Sequence, residues 1–171
     1  MVEILETFDA SGHPQSLESR ARVHKEGLWH RAVNVFLFRT SGRLLIQLRH
    51  SEKDVWPSAW DLSVAEHLKP GESFEQAAER GLAEELGICG VPISPMGAVT
   101  TSCLDEPEHG IKDWEFQQSF QVVTDQRAIP SVGEVAALRE IELEELRVEF
   151  LERPAQYTPW FRSRAIELGI V

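Results

Sequence analysis

The sequence predicts an α+β fold in which a mixed β-sheet lies between α-helices. Three observations carry that expectation. Strand-like apolar runs are followed by helical patterns rather than alternating with them one for one. Hairpin-length turns separate the strands. The 171 residues are 42% hydrophobic and 26% charged, ordinary composition for one domain with a sizeable core, taken as residues 1–171.

The elements follow in order. Val2 to Phe8 reads as a strand and Ser11-Gly12-His13-Pro14 as a turn. Ser19 to Lys25 is a short helix stopped by Gly27. Trp29 to Arg39 is a strand built on Val33-Asn34-Val35-Phe36-Leu37-Phe38, and Ser41-Gly42 closes a hairpin onto Leu44 to Leu48. Ser51 to Trp60 is a loop and Asp61 to His67 is extended. A helix starts at Ser73, where Gln76 completes a capping box that satisfies otherwise orphan amides. Phe74, Ala78 and Leu82 share its buried face, with Ala77 and Leu86 beside them. Gly87 suits the left-handed position just past its end. Strands are expected near Gly97 to Cys103, Trp114 to Val123 and Glu134 to Ile141. Leu143 to Glu152 is a helix ended before Pro154, and Thr158-Pro159 starts a last helix towards Leu168.

The formal net charge of -11 argues against nucleic-acid or anionic-membrane partners, which require a basic surface. No apolar run approaches the roughly 18 residues needed to cross a bilayer, and no secretory pattern opens the chain, so a soluble cytoplasmic protein is expected. Cys89 and Cys103 lack metal-ligand spacing and read as free, buried thiols. Nothing fixes oligomeric state, and a homodimer is compatible with the sequence.

The most informative stretch runs from Glu66 to Ile88. A loop delivers Glu72, and the following helix ends in the adjacent carboxylates Glu84 and Glu85 before Gly87. Carboxylates at the end of a helix oppose its macrodipole, so a further role should justify them. Gathered oxygen ligands suit a hard divalent cation such as Mg²⁺ or Mn²⁺, which typically bridges to substrate phosphates.

This stretch resembles the box of the Nudix (MutT-like) hydrolases, enzymes that cleave a diphosphate linked to another group. Glu72, Arg80, Leu82, Glu84, Glu85, Gly87 and Ile88 fill seven of nine specified positions at the family's spacing. Trp56-Pro57, Trp60-Asp61-Leu62-Ser63-Val64-Ala65 and Thr158-Pro159-Trp160-Phe161 are similar to the branch near the isopentenyl diphosphate isomerases. The resemblance implies a Nudix fold, a bound Mg²⁺ or Mn²⁺, and a small-molecule diphosphate substrate such as a nucleoside diphosphate derivative. It also implies that Arg80 orders the loop by pairing with Glu72, that Gly87 is structural, and that Glu84, Glu85 and Glu72 hold metal.

Two box positions depart. Glu66 replaces the opening glycine, and Gly81 replaces a glutamate that the family uses as ligand or base. Position 81 precedes Glu85 by one helical turn, so a carboxylate is lost from that face and one is gained nearby at Glu66. A mid-helix glycine costs about 0.5–1 kcal/mol relative to alanine, with no evident local benefit. Glu66 is therefore expected to stand in for the missing group. Asp113, Glu115 and Gln117 alternate with Trp114 and Phe116, giving a strand with one polar face; Glu115 is the candidate for a further ligand. Glu66, Glu85 and Glu115 form the candidate catalytic set.

Histidines raise a rival. In the isomerases, histidines comparable to His24, His30 and His67 join two acids in a second metal site, near where Asp113 and Glu115 fall. Those enzymes place a catalytic cysteine two residues before the third histidine; Ala65 stands there and cannot relay a proton. Hydrolysis is the leading reading. A catalytically weak or inactive ligand-binding protein is the alternative, and an isomerase-like enzyme comes third.

Overall fold

The computed structural model describes residues 2–171. A hairpin of β1 (Ile4–Phe8) and β2 (Pro14–Ser19) leads into α1 (Arg20–Glu26). Ser19 caps that helix, and Gly27 ends it at φ 70°. β2 is absent from the sequence expectation because Pro14-Gln15-Ser16-Leu17-Glu18-Ser19 has no apolar alternation; it is a largely exposed strand held by β1 alone. The remaining strands are β3 (His30–Phe38), β4 (Leu44–Arg49), β5 (Trp60–Asp61), β6 (Val64–His67), β7 (Ile93–Glu106), β8 (Ile111–Val123) and β9 (Val135–Ile141). They form one mixed seven-stranded sheet, ordered β5-β4-β3-β8-β7, with β6 on β3 and β9 on β4. The stretch expected as extended from Asp61 to His67 is divided into β5 and β6. β7 and β8 both start earlier than expected. Their register shifts between Met96 and Thr100, where Gly97 adopts φ 70°.

The helices are α2 (Phe74–Leu86), α3 (Leu143–Glu152) and α4 (Pro159–Glu167), with a single 3-10 turn at Pro154–Gln156. The capping box of Ser73 and Gln76 forms, and Gly87 closes α2 at φ 65°. β3 alternates strictly between two cores. Val33, Val35 and Leu37 pack with Ala78, Leu82 and Leu86 of α2. Phe36 packs with Leu146 and Phe150 of α3 and Phe161 of α4. The sheet is thus held between α2 and the α3–α4 pair, the sandwich anticipated from sequence. No helix among the described residues is long and apolar enough to cross a membrane. Cys89 and Cys103 are free but exposed, contrary to expectation; each lies on a surface segment that no core element covers.

Candidate active site

β3 is the spine of the site. It pairs with β8 in parallel, setting His30 opposite Glu115, and with β6 antiparallel, setting Ala32 opposite His67. The register therefore brings His30, Glu115 and His67 onto one face. His24 on α1 and Asp113 at the start of β8 complete the group. One donor atom from each of His24, His30, His67 and Asp113 lies within 4.8 Å of all the others. Glu115 Oε1 stands 3.5 Å from both His30 Nε2 and His67 Nε2. Asp113 Oδ1 stands 3.3 Å from His30 Nε2 and 3.5 Å from His24 Nε2.

These atoms converge without bonding. His24 Nε2, His30 Nε2 and Asp113 Oδ1 are buried and lack hydrogen-bond partners. Buried polar atoms ordinarily find partners, so such a set signals a missing one. His30 Nδ1 bonds the Leu28 carbonyl at 3.0 Å, which requires its proton there and aims Nε2 at the acids. His67 Nδ1 lies 3.3 Å from Glu3 Oε1, giving a carboxylate–histidine pair of the kind that orients metal ligands. Burial opposes charge on His30, but Asp113 and Glu115 overcome it and lift the imidazole to about 10. Burial, then the charge of His67, pushes His24 down to about 4. Nitrogen and oxygen donors at this spacing fit a divalent transition metal.

The box carboxylates are arranged differently. Arg80 donates to Glu72 at 2.8 Å and 3.0 Å, to Glu66 at 2.7 Å, to Glu84 at 3.1 Å and to the His67 carbonyl at 2.8 Å. Glu72 is thus held by the arginine that the resemblance assigned to it. Glu84 is exposed and also accepts from Lys69 at 3.2 Å. Glu85 alone is buried: Gln47 donates to its Oε2 at 2.8 Å, and its Oε1 has no partner. Burial, then the Glu66 carboxylate, raises Glu85 well above the usual carboxylate range. Glu115 sits with the histidines rather than with the box.

Gly81 has a physical reason that was not evident from sequence. A Cβ there would meet Val64 Cγ1 at 2.6 Å and Glu66 Cγ at 2.9 Å. β6 crosses α2 so closely that the Glu66 stem lies over the glycine, so the two departures from the box occupy one space. A cleft of about 710 Å³ touches both Glu66 and Glu85 and the histidine cluster. Among the described residues, Trp160 is the one tryptophan lining it; Asp61 accepts its Nε1–H at 2.8 Å, and the Arg49 guanidinium lies 5.2 Å from its ring. Trp29 and Trp114 meet at a tilt, with ring centroids 5.7 Å apart. Sequence reasoning missed Glu3, Gln47 and Arg49, which act on the site through residues distant in the chain.

The sheet held between helices, the arginine-ordered loop before α2 and a cleft lined by candidate metal ligands are the features to set beside known proteins. The chain belongs to the Nudix family: the NUDIX domain model matches residues 28–161. It is 34% identical over 157 residues to an isopentenyl-diphosphate Delta-isomerase of Nocardia farcinica, covering 91% of this chain and 89% of that protein. It is 47% identical over 70 residues to Nudix hydrolase 3 of Arabidopsis thaliana, covering 40% of this chain and 9% of that protein. A crystal structure from Deinococcus radiodurans shares the fold with a TM-score of 0.71 at 21% identity, covering 88% of this chain and 90% of that one.

Proposed function

We propose that the protein is a divalent-metal-dependent hydrolase of a diphosphate linkage in a small molecule. The observation that carries this reading is the cleft itself, where a converging set of unpartnered nitrogen and oxygen donors shares space with a buried glutamate bearing a free oxygen. His24, His30, His67, Asp113 and Glu115 would hold Mn²⁺ or a similar ion. When bound, the cation neutralises phosphate charge and acidifies water. Glu85 takes the proton of the attacking water at Oε1: Gln47 pins its other oxygen, and its raised proton affinity suits a base. Glu66, held by Arg80, keeps Glu85 protonatable by like-charge repulsion. Metal-dependent phosphate release from a panel of nucleotide-sugars, nucleoside diphosphates and prenyl diphosphates is the expected result. Turnover with no member of the panel under any divalent ion refutes the proposal and leaves a ligand-binding protein.

The histidine cluster and the isomerase names of relatives such as that from Nocardia farcinica favour a second reading, rearrangement of an isopentenyl diphosphate. Against it, Ala65 opposes Asn34 on β6, two residues before His67, where the isomerase chemistry needs an ionisable side chain. A methyl group transfers no proton.

A further inference from the structure

Asn34 is an anomaly of the central strand. It interrupts the apolar run from Val33 to Phe38, although asparagine is disfavoured in strands. Its side chain lies on the β3 face shared with Ala32 and Phe36, between the histidine cluster and the aromatic core, and lines the cleft. It is only 3% exposed, and its Nδ2 has no hydrogen-bond partner. Leaving a buried amide unpaired is unfavourable, so an acceptor from outside the chain is called for.

The neighbours define what that acceptor meets. Gln117, opposite Ala32, has its amide fully engaged: Arg164 Nη2 donates to its Oε1 at 2.9 Å, and its own Nε2 donates to Glu115. Gln117 is fixed and Asn34 is free. On β6 the residue opposite Asn34 is Ala65, whose small side chain leaves room above the amide. On β8 the residue opposite is Ser119, whose Oγ is likewise buried without a partner. A hydrocarbon placed here would leave the Asn34 amide unsatisfied.

We infer that Asn34 is a specificity-determining residue that selects a substrate whose organic part carries a hydroxyl or carbonyl beside the diphosphate, and rejects a hydrocarbon chain. This rests on the diphosphate reading above. A site built to hydrogen-bond a substrate hydroxyl discriminates strongly against the analogue that lacks it. The test is calorimetric titration of the Mn²⁺-loaded protein with 3-hydroxybutyl and 3-methylbutyl methylenebisphosphonates. These differ by hydroxyl for methyl, and their P–C–P bridge resists hydrolysis. The wild type is expected to bind the hydroxyl compound at least tenfold tighter, and Asn34→Leu to remove or reverse that preference. Equal or tighter binding of the methyl compound by the wild type overturns the inference, as does a preference that survives in folded Asn34→Leu. The wild-type comparison stands even if that variant misfolds. Binding of neither compound overturns the diphosphate reading as well, whereas a hydroxyl preference in a protein that hydrolyses nothing overturns hydrolysis alone.

Discussion

At position 81 the usual ranking of helix formers is reversed. Alanine in an exposed helix interior is better than glycine by about 0.5–1 kcal/mol. Here the added methyl collides with Val64 Cγ1 at 2.6 Å, which belongs to a buried side chain that cannot swing away. Gly81→Ala is therefore expected to destabilise by about 1–3 kcal/mol in denaturant unfolding, as overpacking does. A neutral or stabilised variant would show that β6 does not press on α2 as described. Gly81→Glu should be worse, and should recover only in part when combined with Glu66→Gly, because Val64 remains. The pairing of these two departures is legible in the sequence as a carboxylate lost and one gained. Their contact is not, because spacing along the chain carries no information on how closely a strand crosses a helix.

At the scale of elements, ion pairs fasten segments that the core alone does not. Arg80 ties the loop before α2 to the end of β6, bonding three carboxylates and a carbonyl. Arg80→Met should cost about 2–3 kcal/mol and expose the loop, since it leaves Glu72 and Glu66 facing each other uncompensated; limited proteolysis within 66–73 checks this. On the opposite side, Arg139 of β9 and the Tyr157 hydroxyl both donate to Glu149 of α3. Arg139 is the larger influence holding the Glu149 carboxyl down at about 2. A depressed acid stabilises above its unfolded pKa, so this contribution is complete above roughly pH 4.5 and lost as pH falls towards 2. Glu149→Gln should lower Tm by several degrees at pH 7 and flatten the loss of stability between those pH values. A variant as acid-sensitive as the wild type would contradict it. Most elements were legible because their signals are local: Ser73 with Gln76 and Gly87 bound α2, and Pro159 starts α4. β2 was not legible because an exposed edge strand needs no apolar pattern.

For the molecule as a whole, the site assembles donors from four separated stretches, at residues 24, 30, 67 and 113–115. Resemblance could bring the histidines together in the sequence, but the register of β3 with β6 and β8 is what places them. Glu3, Gln47 and Arg49 stayed illegible because each acts through a partner remote in the chain. A cation that binds only the folded state stabilises it by about 2.7 kcal/mol at a hundredfold excess over its dissociation constant. Mn²⁺ should therefore raise Tm by several degrees, a chelator should reverse the gain, and His67→Ala should abolish the response. A full response in His67→Ala would place the metal elsewhere.

Under the proposed function, this cleft would hydrolyse a diphosphate with Glu85 as the base. The most direct measurement is a ³¹P NMR time course of the Mn²⁺-loaded protein with a diphosphate substrate found in the panel, run beside Glu85→Gln. Loss of the diphosphate resonances and growth of monophosphate, slowed at least a hundredfold in Glu85→Gln, is the predicted result. Diphosphate resonances that persist while the organic group rearranges, or hydrolysis that is undiminished in Glu85→Gln, would contradict it.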